Sequence, residues 1–197
     1  MKDNRICFIG DSYVQGTGDP SCLGWVGRLC VSARNAGHNL TGYNLGVRRE
    51  TSADIARRWL AACTPRLLQT TENYVVFSFG LNDVTIENGA RRIAQSETLA
   101  SLRAMLKEAK SRYRTLVIGS VAVPDVERNA PLLQLSEGMA EVAKGLDIPY
   151  LALFPHFVED APWMEEVRNN DGAHPCGTGY AKIAALIEAW PQWWFGK

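Results

Sequence analysis

Residues 6–16 read ICFIGDSYVQG, where a run of apolar side chains gives way to a glycine, an aspartate and a serine. The apolar part, Ile6–Ile9, predicts a buried first strand. Gly10, Asp11 and Ser12 are good turn formers, and an α/β domain needs a turn after its first strand in any case. The alternative interpretation is that Ser12 is a nucleophile held where the strand stops. The two interpretations of Ser12 can be distinguished by whether the chain contains other residues that could act with a nucleophile.

Beyond this stretch, short apolar runs alternate with segments of helical period, and no repeat or linker interrupts them. Further strands are predicted at 39–45, 74–79, 115–123 and 148–154. Helices are predicted from about Trp25 to Gly37, from Thr51 to near Pro65, over 91–112, from Pro131 to about Gly145, and over Thr178–Trp190, the last after an irregular stretch. This alternation is typical of one doubly wound domain over 1–197, a flavodoxin-like three-layer α/β/α sandwich with a five-stranded parallel sheet.

The composition is that of an ordinary globular chain, with 46% hydrophobic and 21% charged residues and a formal net charge of zero. Nothing in it indicates binding to nucleic acid or to an anionic membrane. No apolar stretch approaches the roughly 20 residues needed to cross a bilayer, and the N-terminal run is too short for a signal peptide, so we expect a cytoplasmic protein. Five cysteines without a CxxC pair argue against a disulfide framework and a zinc site.

Polar clusters follow the predicted strands. In an open parallel sheet, ligands bind beyond the carboxyl ends of the strands, so clusters at those ends should meet at one edge. The clusters are Gly10-Asp11-Ser12, Asn44-Leu45-Gly46, Gly80-Leu81-Asn82-Asp83 and Asp171-Gly172-Ala173-His174-Pro175. Each residue taken separately could be a turn or capping residue, but their joint occurrence in this order favours a functional site.

Together these clusters hold the parts that acyl transfer requires. The Ser12 hydroxyl is a poor nucleophile until a base takes its proton, and His174 can be that base, since an imidazole ordinarily titrates near neutrality. Asp171 can accept the other ring N–H and hold the productive tautomer. The backbone N–H groups of Ser12 and Gly46 and the side-chain amide of Asn82 could stabilise the oxyanion.

The same four clusters resemble the motif blocks of the GDSL esterases and lipases, the SGNH hydrolases. The matching segments are IGDSYVQG, NLGVRRETS, GLND and DGAHP, which together cover nearly the whole chain. The resemblance implies the SGNH hydrolase fold and ester hydrolysis without a metal or other cofactor. It also implies that Ser12 is the nucleophile, that Gly46 and Asn82 are oxyanion donors, and that Asp171 and His174 complete the site.

The second block departs from the family pattern. It often carries a further glycine three residues after the first, where this chain has Arg49. If the position needs a positive φ, arginine holds the loop at some energetic cost. Arg48 and Arg49 could recognise an anionic group of the substrate, or they could be a solvated surface pair.

Other residues are candidates for contact with substrate or with a second copy of the chain. Asp11 and Asp83 adjoin the predicted catalytic residues, and Trp163 could line or cover an acyl pocket. The C-terminal segment WPQWWFGK, residues 190–197, could pack on its own domain or form a homo-oligomer contact.

The sequence therefore predicts a serine-dependent hydrolase of small carboxylic esters that works through an acyl-enzyme. An acyltransferase or a carbohydrate deacetylase could use the same residues. A flavodoxin-like module that binds a small ligand without turnover is the alternative from another class.

Overall fold

A five-stranded parallel sheet forms the centre of the protein, whose computed structural model describes residues 2–196; Met1 and Lys197 lie outside this range. The strands in chain order are β1 (Asn4–Gly10), β2 (Leu40–Gly46), β3 (Glu72–Ser78), β4 (Ile86–Glu87), β5 (Ala90–Arg91), β6 (Arg114–Ile118) and β7 (Tyr150–Leu151). The sheet has the order β2-β1-β3-β6-β7, and β4 pairs with β5 as a separate antiparallel hairpin.

Helices cover both faces of the sheet. They are α1 (Ser12–Gln15), α2 (Gly24–Asn35), α3 (Ser52–Cys63), α4 (Gln95–Lys110), α5 (Val126–Lys144), α6 (Phe154–Phe157), α7 (Ala161–Asn170) and α8 (Gly177–Ala189). On one face α2 packs against α8, and on the other α3, α4 and α5 pack in succession. The predicted three-layer α/β/α fold is confirmed.

The two central strands are buried from both sides. In β1, Phe8 packs edge-on against Trp25 of α2, with ring centroids 5.5 Å apart. In β3, Phe77 packs against Trp59 of α3 at 5.3 Å. Phe77 pairs in register with Ile9 rather than with Phe8, so the two phenylalanines point to opposite faces. Burial on both faces explains why these strands read as continuous apolar runs.

Several predicted boundaries are wrong. The helix expected over 91–112 begins only at Gln95, because the chain before it forms the β4–β5 hairpin. The strand expected over 115–123 ends at Ile118, and the one expected over 148–154 is reduced to Tyr150–Leu151. The apolar residues after these strands are buried in loops instead.

Two helix predictions also need correction. Pro131 lies inside α5 rather than in its first turn, because the Asp125 side chain accepts a hydrogen bond from Glu127 N–H and begins the helix earlier. The stretch treated as irregular contains α6 and α7. The Asp160 side chain caps α7 by accepting from Trp163 N–H. The expected capping at Thr51 is present in full.

The C-terminal aromatic residues pack on their own domain. Trp193 and Phe195 are buried; Trp193 lies 6.4 Å from Phe8, and Phe195 lies 5.0 Å from Tyr74, measured between ring centroids. A contact between copies through this segment stays a prediction. Within residues 2–196, none of the helices combines the length and apolar character that crossing a membrane would require.

Candidate active site

The end of β1 places Ser12 at the carboxyl edge of the sheet. Gly10 ends the strand so close to β3 that a Cβ there would lie 1.9 Å from the Ser78 carbonyl oxygen. The Asp11 side chain then caps α1 by accepting from Tyr13 N–H at 3.0 Å. Ser12 is the first residue of that helix and is only 5% exposed. This strand–turn–helix junction holds the hydroxyl in one place.

Hydrogen bonds join Ser12, His174 and Asp171 in a continuous chain. His174 Nε2 lies 2.7 Å from Ser12 Oγ, and His174 Nδ1 lies 2.7 Å from Asp171 Oδ2. An ionised carboxylate can only accept, so Nδ1 donates to it, and in a neutral ring this leaves Nε2 free to accept from the serine hydroxyl. The structure thus brings Ser12 together with His174, which lies 162 positions later, and with the neighbouring Asp171.

Asp171 also fixes the backbone that carries the imidazole. Its Oδ1 accepts from the N–H groups of Ala173 at 3.0 Å and of His174 at 2.7 Å. Partial burial opposes ionisation of Asp171, but the hydrogen bonds from the His174 ring and the two N–H groups outweigh it and lower the pKa of the carboxyl. Asp171 therefore stays charged opposite the imidazole.

Tyr13 is a site residue that the sequence reasoning missed. Its hydroxyl donates to the Ala173 carbonyl oxygen, and its ring centroid lies 5.3 Å from that of His174. Burial raises the pKa of Tyr13 well above its ordinary value, so the hydroxyl remains a donor. Asn170 adds a bond from Nδ2 to the His174 carbonyl oxygen at 3.0 Å. In the sequence, the only signal that Tyr13 belongs to the site is its position directly after Ser12.

The structure does not leave the Gly46 N–H unpaired, which corrects the expectation that it stabilises an oxyanion. This N–H donates to Asn44 Oδ1 at 3.0 Å. A Cβ on Gly46 would lie 2.2 Å from the backbone nitrogen of Gln15, so the glycine is needed for close packing of β2 against α1.

Two other predicted donors remain available. Among the described residues the Ser12 N–H has no acceptor. Asn82 uses one hydrogen of its amide to donate to the Glu50 carbonyl oxygen at 2.8 Å, which leaves its second hydrogen without a partner in the same part of the chain. This bond ties the loop after β3 to the loop after β2.

Arg49 adopts the left-handed conformation, with φ 70°, at the position where the family often has glycine. Its side chain contacts Glu87 Oε1 at 2.7 Å, and its carbonyl oxygen accepts from Arg92 Nη1 at 2.9 Å. Within residues 2–196 its N–H has no acceptor. Arg48, beside it, is exposed.

Asp83 and Trp163 are buried and hydrogen-bonded within the protein, and their contact with substrate stays a prediction. Asp83 is 1% exposed and accepts from Ser52 N–H at 2.8 Å and from the Thr98 hydroxyl at 2.7 Å. The indole N–H of Trp163 donates to the Ala122 carbonyl oxygen at 2.8 Å. Both residues hold neighbouring loops in position.

Asp11 is also buried, at 2% exposure, and contact between Asp11 and substrate stays a prediction. It borders a cavity of about 20 Å³ that Ser78 and Ser120 also line, enough for a single water molecule. Burial raises the pKa of Asp11 to about 7, against the effect of the hydrogen bond from Tyr13.

The parallel sheet with helices on both faces is the fold of the SGNH hydrolase structures, and Ser12 follows its first strand. The family model for the GDSL-like Lipase/Acylhydrolase family matches residues 8–182, so the chain belongs to this family. Membership supports a hydrolase that acts on esters.

Solved structures show the same fold at low sequence identity. A catalytic mutant of Axe2, an acetylxylan esterase from Geobacillus stearothermophilus, is 15% identical with a TM-score of 0.81, covering 100% of this chain and 97% of that one. A lipase/acylhydrolase from Enterococcus faecalis is 22% identical with a TM-score of 0.74, covering 95% and 93%. The hydrolase LAE5 from the metagenome of Lake Arreo, Spain, is 18% identical with a TM-score of 0.75, covering 95% and 94%. No curated protein sequence matches this chain.

Proposed function

We propose that this protein is a serine hydrolase that cleaves small carboxylic esters through an acyl-enzyme. One observation carries the proposal: Ser12 Oγ, the His174 ring and Asp171 Oδ2 form an unbroken chain with two contacts of 2.7 Å. Nucleophile and base within hydrogen-bond reach, with a third group that orients the base, are the signature of an activated serine.

In the first half of the reaction, Ser12 Oγ attacks the acyl carbon while His174 Nε2 takes the hydroxyl proton. The tetrahedral intermediate collapses as His174 gives this proton to the leaving oxygen, and the alcohol departs. A water molecule then attacks the acyl-enzyme, with His174 as its base. The acid is released when the proton returns to Ser12 Oγ.

Asp171 stabilises the imidazolium that forms in each half. Because its pKa is lowered, it remains a carboxylate across the neutral range and keeps the ring in the orientation that faces Ser12. Its two further bonds to the backbone N–H groups of Ala173 and His174 hold this geometry before substrate arrives.

The oxyanion is stabilised by donors that are unpaired in the described chain. These are the Ser12 N–H, the second amide hydrogen of Asn82 and the N–H of Arg49. The Arg49 N–H replaces that of Gly46, which is engaged by Asn44. Preorganised donors of this kind act most strongly in a site from which water is excluded.

Labelling with a fluorophosphonate probe, followed by intact mass, tests the nucleophile. The wild-type protein should gain one label, and Ser12→Ala should gain none. Ser111→Ala is the matched control, since this exposed serine at the end of α4 only donates to the Glu108 carbonyl oxygen. Equal labelling of wild type and Ser12→Ala would show that the nucleophile is another residue. A series of p-nitrophenyl esters of increasing acyl length then defines the acyl preference.

Deacetylation of a carbohydrate is a second candidate. It is favoured by the similarity to the acetylxylan esterase Axe2 over 100% of this chain. Acetate release from acetylated xylooligosaccharides, compared with release from p-nitrophenyl acetate, distinguishes it from a general esterase. Adding acceptor alcohols to the same assay detects acyl transfer, because a transferase would form a new ester in place of the acid.

A further inference from the structure

Four arginines lie together beside the candidate active site, and we call them the basic arc: Arg48, Arg49, Arg91 and Arg92. The first two belong to the loop after β2, and the others lie at the end of the β4–β5 hairpin. Arg92 joins the two segments by donating to the Arg49 carbonyl oxygen at 2.9 Å. Glu87 contacts the side chains of Arg49 at 2.7 Å and of Arg92 at 3.4 Å.

The basic arc carries more positive charge than its surroundings neutralise. Glu87 is shared between two of its four guanidinium groups, while the side chains of Arg48 and Arg91 are exposed and form no ion pair or hydrogen bond with residues 2–196. The nearby Glu50 is already paired with Arg58, at 2.7 Å from its Nε. The arc is therefore a local excess of positive charge on a chain whose formal net charge is zero.

The arc is tied directly to the reacting groups. Val47 N–H donates at 3.0 Å to the carbonyl oxygen of Gly10, two residues before Ser12. At the other end of the same loop, the Glu50 carbonyl oxygen holds the Asn82 amide. Arg48 and Arg49 lie between these two anchors, in a loop that is hydrogen-bonded both to the end of β1 and to Asn82.

The backbone conformation of Arg49 also supports a functional role for this loop. A residue other than glycine is strained in the left-handed region, and such outliers concentrate where function requires them. A glycine would form this turn without strain. What the arginine adds is a guanidinium beside the site, held by Glu87.

We propose that the basic arc binds an anionic group, a carboxylate or a phosphate, on the ester that Ser12 attacks. The inference rests on the proposed ester hydrolysis and adds the substrate class. Guanidinium groups present paired donors that match the oxygens of both anions, and Arg48 and Arg91 have theirs unused within the described chain.

Two aryl acetates that differ in charge test the substrate class. 4-Acetoxybenzoate carries a carboxylate where 4-acetoxybenzamide carries a neutral amide, and 4-acetoxyphenyl phosphate provides the phosphate arm. Each kcat/KM is divided by the rate of alkaline hydrolysis of the same ester, to remove differences in reactivity. We expect the wild type to prefer the anionic esters, and expect about 0.5 M NaCl to reduce this preference, since it shortens the Debye length to about 4 Å.

Replacing arginines of the basic arc then tests whether the preference for anionic esters depends on them. Arg48→Gln combined with Arg91→Gln should lower the anionic-to-neutral ratio about tenfold, as expected from roughly threefold for each exposed ion pair. Arg103→Gln, an equal charge change at an exposed position on α4, should leave the ratio as in wild type. A ratio that the double variant leaves unchanged would overturn the inference while ester hydrolysis stands.

Binding to the Ser12→Ala protein tests the arc without turnover. NMR titration with 4-hydroxybenzoate and 4-hydroxybenzamide should show tighter, salt-sensitive binding of the carboxylate, and this difference should vanish when Arg48→Gln and Arg91→Gln are added. Equal binding of the two compounds would refute the anion site. Selective binding by a protein whose wild-type form hydrolyses neither ester would instead refute the proposed function and leave the anion site in place.

Discussion

The two sides of the candidate site are built in opposite ways. On one side, Ser12 and His174 are each less than 10% exposed, and hydrogen bonds within the protein fix their side chains. On the other side, the loop after β2 is open to solvent, carries Arg48 without a partner in the described chain, and bends through a left-handed arginine at Arg49. On the two proposals above, the buried side breaks the ester bond and the exposed side selects the substrate.

The largest effect should come from the buried side. Asp171→Asn keeps the acceptor for the two backbone N–H groups but removes the charge opposite the imidazolium, and it can present an N–H to Nδ1. We expect kcat/KM for p-nitrophenyl acetate to fall by roughly 10³–10⁴. Asp147→Asn, at an exposed carboxylate, is the control. A loss below tenfold would mean that Asp171 serves only to fold the loop.

Asn82 connects the two sides, so its replacement should rank next. Asn82→Ala removes one proposed oxyanion donor, and we expect kcat to fall by about 10²–10³. It also leaves the Glu50 carbonyl oxygen without its partner. Asn82→Asp separates the two effects, because it preserves the shape of the side chain but cannot donate when ionised. Urea unfolding of both variants shows whether the kinetic loss exceeds any loss of stability.

Asp11 provides a test of burial itself. Its pKa is about 7 in the folded protein against an ordinary value near 4 in the unfolded chain. Between these values the unfolded chain releases a proton that the folded protein keeps, so stability falls as pH rises. Asn caps helices as well as Asp and does not ionise. From about pH 5 to about pH 8, wild type should lose roughly 2.6 kcal/mol relative to Asp11→Asn in urea unfolding. Parallel curves for the two proteins would show that Asp11 is hydrated.

The smallest effect concerns the exposed side. Arg49→Gly and Arg49→Ala both lose the contact with Glu87 and both keep the backbone N–H. Only alanine retains the left-handed strain, so the glycine variant should be the more stable of the two by about 1 kcal/mol. Equal midpoints in urea would mean that the loop changes shape when the arginine is removed. Turnover of a neutral ester should differ little between the variants, since the proposed donor is the N–H that both retain.

The sequence predicts the fold best where apolar residues are covered on both faces. β1 and β3 satisfy this condition, and their positions agree with the prediction to within two residues at each end. The strands β6 and β7 were predicted too long, because Val121, Ala122 and Val123 are buried in a loop rather than in the sheet. An apolar run in the sequence predicts that a segment is buried. It does not predict that the segment pairs with a neighbouring strand, and a buried segment belongs to the sheet only if it forms those hydrogen bonds.

The same limit applies to the site. Ser12, Asn82 and the His174 loop could be placed from sequence, because each follows an element whose end faces the same edge of the sheet. The hydrogen bond of the Gly46 N–H could not be predicted from the sequence, because it depends on the rotamer of the Asn44 side chain. Nor could the bond from Tyr13 to Ala173, which arises only when two segments 160 positions apart pack together.

The contact between Ser12 and His174 spans 162 positions of the chain, and the aromatic rings near the C-terminus pack on the strand that leads to Ser12. The end of the first strand therefore forms the candidate site together with the loop that precedes the last helix. During translation, a nascent chain that has already formed its first strands still lacks its proton acceptor. On the proposed mechanism, it should remain inert toward esters until the loop that carries His174 has also left the ribosome and folded against Ser12.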